Sequence, residues 1–191
     1  MIRTWSAAAL LALLPTLAAA QLQPPLDHRP AIRPPAPGAC DSADHRQFDF
    51  WVGRWQVSPT GSRKVVAASL IEKLYGGCAI RENWMPIGQA GGGSLSSYVR
   101  GDRAWKQTWV DSSGSRAEFT GGWNGQAMVL SGPWPTPKRP DRLVRITWTP
   151  AADGTVRQAG EASFDGGKSW RPSFDLTYRK AKAARSSRLR P

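Results

Sequence analysis

The sequence predicts an all-β domain, a single antiparallel up-and-down β-barrel of about ten strands, and three observations predict it. No helical stripe of useful length occurs between Phe48 and Tyr178. Short alternating or β-branched runs recur there instead. Gly, Asn, Asp and Pro cut those runs, with Gly76-Gly77, Asn124-Gly125 and Asp153-Gly154 reading as tight connections. Closure into a barrel removes exposed strand edges. A two-sheet β-sandwich is the alternative, because the pattern alone does not decide closure.

The elements follow in chain order. Residues 1–20 carry Arg3, an apolar run over 7–17 and then Ala18-Ala19-Ala20, the pattern of a secretory signal peptide. The apolar run is too short for a transmembrane span, which needs about 20 residues. Residues 21–39 are Pro-rich and read as an extended linker. The domain is expected over 40–179, with strands at 51–58, 64–75, 78–85, 94–99, 104–110, 116–121, 127–131, 142–149, 155–163 and 169–179. Residues 131–140, rich in proline, are expected to form a long surface loop. Its Trp134 is then either a lid over a cavity or simply packed down. Residues 180–191 are basic and without apolar period, the pattern of a disordered tail.

The formal charge of +12 is concentrated at that end, where Arg179, Lys180, Lys182, Arg185, Arg188 and Arg190 cluster. A tail of this kind adheres to anionic surfaces such as a cell envelope. It is not a basis for specific nucleic-acid recognition. The signal places the mature chain in the periplasm or outside the cell. In that oxidising setting Cys40 and Cys78 read as a disulfide, with two inert thiols or one reactive thiol as the alternatives.

All tryptophans but Trp5 lie in the domain. Core packing accounts for many of them, yet a barrel interior lined by indoles and a few polar groups is also a ligand pocket. Alternation places Glu82 with Ile80 and Trp84, and Gln107 with Trp105 and Trp109. It places Arg145 opposite Val144, Ile146 and Trp148. A buried carboxylate needs a partner, and Arg145 is the expected one, in a pocket walled by Trp84, Trp105 and Trp109. If that pair is structural, Glu82→Gln should destabilise the protein; if it anchors a ligand, the same change should quench the ligand's effect on tryptophan fluorescence and spare the fold. His45 reads as a surface residue ahead of the first strand. Gly91-Gly92-Gly93 reads as a flexible turn rather than a phosphate cradle. No spacing suggests a metal site or another cofactor, and no nucleophile elbow occurs. The run from Ser163 to Trp170 resembles a single Asp-box turn, with Asp165 capping backbone N–H groups.

The run from His45 to Trp55 contains FDFWVGRW. With GGCAIRENW (Gly76 to Trp84), QTWVDSSG (Gln107 to Gly114), RITWTP (Arg145 to Pro150) and DGGKSW (Asp165 to Trp170), it resembles an uncharacterised family of bacterial exported proteins. That resemblance implies the domain limits and supports a Cys40–Cys78 pair, but no activity. Gly53-Arg54-Trp55 is similar to the start of lipocalin and nitrobindin-like barrels, which implies a last-strand cation over Trp55, with Arg179 suitably placed. The C-terminal His that holds haem in nitrobindin-like proteins has no counterpart.

The function expected is therefore binding of a small, partly apolar ligand in a Trp-lined cavity around Glu82, Trp84, Trp105, Gln107, Trp109 and Arg145. One alternative is a packed, non-catalytic envelope-associated protein. The other is an enzyme using Glu82 or Asp111 as acid or base. A cavity of about 300 Å³ or more would favour a ligand, and a filled barrel the packed reading.

Overall fold

The computed structural model describes residues 39–181. The expected signal (1–20), the Pro-rich linker up to residue 38 and the basic tail from residue 182 lie outside the described residues. Ten strands follow one another: β1 (Gly53–Pro59), β2 (Ala67–Leu74), β3 (Ala79–Pro86), β4 (Gly92–Val99), β5 (Ala104–Asp111), β6 (Arg116–Trp123), β7 (Met128–Pro133), β8 (Leu143–Pro150), β9 (Val156–Ser163) and β10 (Arg171–Lys180). Each pairs antiparallel with its sequence neighbour. β1 also pairs with β10, which closes the barrel with no strand out of order. The barrel reading is correct, and the sandwich alternative falls.

Alternation sorts the side chains into two populations. Trp55, Val57, Ile71, Ile80, Phe119, Leu130, Val144, Ile146, Trp148, Val156 and Tyr178 are buried in one core. Arg54, Gln56, Arg81, Lys106, Arg116, Glu118 and Arg157 cover the outside. Ion pairs there, such as Arg81–Glu72, Arg116–Glu118 and Arg157–Asp175, are solvent-exposed and each contributes little.

One end of the barrel is plugged by the chain ahead of β1. A short helix, α1 (Ala43–Arg46), and a 3₁₀ turn at Asp49–Trp51 fold across the opening. Phe48 stacks on Trp51 with centroids 4.9 Å apart and meets Trp105 and Trp148 edge-on. Trp55 Nε1 donates to the Trp51 carbonyl at 2.8 Å, and Trp105 Nε1 donates to Gln47 Oε1 at 3.1 Å. This corrects two expectations. Trp51 belongs to the plug rather than to the first strand. His45 is buried rather than superficial, bonded through Nδ1 to Ser42 Oγ and edge-on to Tyr98. The Cys40–Cys78 disulfide fastens the start of this plug to the connection between β2 and β3.

The cation over Trp55 is Lys180, not Arg179. The register sets Trp55 opposite Lys180, whose Nζ lies 3.9 Å from the indole centroid and donates to the Val52 carbonyl at 2.7 Å. Lys180 is thus the last residue of β10 rather than the first of a tail. The Asp-box turn is present: Asp165 accepts from Ser163 Oγ, Ser169 N and Ser169 Oγ, which hold its carboxyl down at about 2.

Two further corrections concern glycine and proline. β7 continues through Gly132 to Pro133, opposite Leu143, so the surface loop begins only at Trp134. A Cβ on Gly132 would collide with the Glu118 carbonyl oxygen of β6. Gly132→Ala should therefore cost about 1–3 kcal/mol, seen as a lower urea midpoint with an unchanged slope. An unaltered midpoint would show that β6 and β7 separate freely here. Gly92 and Gly93 lie in β4 rather than in a turn, and the Trp109 indole fills the space a Gly92 side chain would need.

Candidate functional site

The end of the barrel opposite the plug is open. Inside it lies a chamber of about 190 Å³ lined by Glu82, Gln107, Gln158 and Tyr178 on its polar side and by Trp84, Trp109, Phe119, Trp134, Ile146, Trp148, Phe174 and Leu176 elsewhere. Trp84, Trp109 and Trp134 also line a wider outer recess with Pro86, Gln89, Gly91, Asp111, Ser112 and Ser113. The chamber therefore opens to the surface between three indoles. Its size falls between a filled barrel and the ~300–1,000 Å³ typical of pockets for drug-sized ligands.

The site is built by position in the pleat. Glu82 and Trp84 come two residues apart on β3, so both face inward, and Gln107 and Trp109 do the same on β5. Trp134, the first residue of the β7–β8 loop, folds back over the opening. Its Nε1 donates to Ser115 Oγ at 2.8 Å, and its ring packs against Trp109 and Phe119 with centroids 6.1 and 5.9 Å away. Arg142 covers its outer face. Trp134 is thus packed down and a wall of the chamber at once.

Glu82 is 4% exposed. Ser69 Oγ donates to its Oε1 at 3.0 Å and Ser94 Oγ to its Oε2 at 3.3 Å. Tyr178 Oη lies 3.4 Å from Glu82 Oε1 and 2.8 Å from Gln158 Oε1. That hydroxyl has one proton for two acceptors, and the shorter contact takes it. A protonated Glu82 resolves the competition by donating to the Tyr178 oxygen, giving a chain from Glu82 through Tyr178 to Gln158. Burial agrees: it raises the Glu82 carboxyl to about 7 against the three hydroxyl contacts. Burial, then the Glu82 charge, pushes the Tyr178 hydroxyl well above its usual range.

Arg145 is not the partner of Glu82. It lies on the outer wall, bonded to Glu161 at 2.9 Å and laid over Trp170 with its guanidinium carbon 4.4 Å from the ring centroid. The reason is the pleat: Val144, Ile146 and Trp148 take the inward positions of β8, which leaves Arg145 the outward one. Trp105 is buried but sits against the plug, bonded to Gln47, and does not line the chamber. Gln107 lines it, with Nε2 donating to Ser96 Oγ at 2.9 Å. Sequence reasoning missed the polar groups Gln158, Tyr178, Ser69 and Ser94 and the apolar walls Phe119, Ile146, Trp148, Phe174 and Leu176. Gln158 was within reach, since it alternates with Val156 and Gly160 on β9.

Asp111 stands at the mouth. It accepts from Trp109 Nε1 and from Ser113 and Ser115, contacts that hold its carboxyl below the usual range despite partial burial. It serves as a turn cap that also steadies the Trp109 ring. No protein-family model and no curated protein matches this chain.

Proposed function

We propose that this is an exported binding barrel, which holds a small, partly apolar molecule in the chamber between Trp84, Trp109 and Trp134. The observation that carries the reading is the chamber itself: indole walls, a floor of Glu82, Gln107 and Gln158, and an opening at one end while the other is plugged. A barrel with only a structural role would gain stability by filling this space. Export is supported by the Cys40–Cys78 bond, which persists in oxidising compartments. Among the described residues, no helix is long and apolar enough to cross a membrane. Kinship with lipocalin and nitrobindin-like barrels is part of the proposal. It rests on the up-and-down closure and on a last-strand cation over Trp55.

The test is native mass spectrometry of the protein purified from its own host. A bound small molecule is expected on the intact protein. It should be absent from Ile146→Phe, a variant that fills the chamber without adding a polar group. A wild-type protein that carries nothing, and whose tryptophan fluorescence is unmoved by a library of small amphipathic compounds, would leave a packed structural barrel.

A further inference from the structure

With Arg145 on the outside, bonded to Glu161, the chamber loses the one cation expected in it. The whole chain carries +12, yet among the described residues no Lys, Arg or His lines the chamber or its outer recess. The ionisable groups there are Glu82 and Tyr178 within and Asp111 at the mouth. Facing Glu82 from the neighbouring strands are Ser69 on β2, Ser94 on β4 and Tyr178 on β10, none of them a base. An anionic ligand would meet Glu82 inside and Asp111 at the rim, and no lining cation among the described residues to receive it.

The indoles of Trp84, Trp109 and Trp134 line the path between those two acids. The π-face of Trp attracts a cation, and more strongly where water is excluded. We propose, building on the binding reading above, that the chamber selects organic cations: a small amine or quaternary ammonium with an apolar body, its charged head set against Glu82 and the faces of Trp84, Trp109 and Trp148. Among the described residues Glu82 meets only the hydroxyls of Ser69, Ser94 and Tyr178, and the ligand supplies the counter-charge. The buried carboxyl then gives up its proton as the cation enters, so binding and proton release are linked. Above the Glu82 titration near 7, the carboxylate is already formed and affinity levels off. Below it, each unit of pH weakens binding about tenfold. A quaternary probe keeps its own charge throughout and isolates this effect.

Isothermal titration with benzyltrimethylammonium, its uncharged carbon isostere neopentylbenzene, and phenylacetate at pH 6 and pH 8 tests the proposal. The quaternary cation should bind at pH 8 at least tenfold more tightly than neopentylbenzene, and about tenfold more weakly at pH 6 than at pH 8. Phenylacetate should not bind. Glu82→Gln should keep its affinity for neopentylbenzene and lose both the cation preference and the pH dependence. The pH series on the unaltered protein stands by itself if that variant does not fold. Neopentylbenzene or phenylacetate binding as tightly as the cation would overturn the ligand class and leave the binding reading in place. If none of the three probes binds at either pH, the ligand class falls, and the native mass spectrum decides the binding reading.

Discussion

Replacing Cys78 by Ser should lower stability by about 4 kcal/mol, the loop-closure entropy restored to the unfolded chain by opening a cross-link of this span. The bonded pair is separated by 38 residues and its Cα atoms lie 5.0 Å apart. What the bond holds is the plug. Cys40 begins the segment that buries Phe48 and Trp51 under the barrel, and Cys78 ends the turn between β2 and β3. The Lys73–Asp49 ion pair joins the same two regions but is partly solvated, so it cannot replace the covalent tie. Urea unfolding with and without reductant checks this. The reduced wild type should match Cys78→Ser, and a midpoint indifferent to reductant would refute the cross-link.

Glu82→Gln should stabilise the protein at pH 8, the reverse of what an ion pair with Arg145 would give. The folded carboxyl titrates near 7 and the unfolded one near 4.5. Between those values the native state holds a proton that the unfolded state has released. The contribution of Glu82 is therefore fully present below pH 4.5 and is lost as pH rises through 7. The loss totals about 3 kcal/mol, at about 1.4 kcal/mol per pH unit. Glutamine imitates the neutral acid, so the variant should show no such slope from this site. Urea midpoints measured from pH 4 to 8 for both proteins give the comparison. Parallel curves would mean that Glu82 is ionised in the fold at neutral pH.

The strand order was legible because its punctuation is local. Asn124-Gly125 and Asp153-Gly154 turn the chain where the structure turns it, with Gly125 and Gly154 both at positive φ. The plug was not legible. Its helix has four residues and its 3₁₀ turn three, too few for a period to show. Within the site, alternation correctly set Glu82, Trp84, Gln107 and Trp109 inward. It gives a face but not a depth, so Trp105, on the same face of β5 as Trp109, was assigned to the chamber although it lies at the plugged end. The Arg145 expectation preferred complementary charge to the pleat. Val144, Ile146 and Trp148 had already claimed the inward positions. Tyr178 could not be matched to Glu82 at all, because their meeting depends on the seam between the first and last strands.

That seam also sets the order in which the molecule can assemble. Nine of the joints link strands adjacent in sequence, most of them through turns of four or five residues, and contacts of this kind form early. The joint between β1 and β10 pairs Trp55 with Lys180, and its loop-closure entropy is met only when nearly the whole domain has been made. Until then the growing sheet has two bare edges, one of them beside the apolar face of β1, and such edges recruit other chains. The wall formed by Phe174, Leu176 and Tyr178 is missing for the same interval. A chain cut short before residue 171 keeps most of its hairpins and none of its protection from aggregation, because the last strand is what turns a sticky ribbon into a vessel.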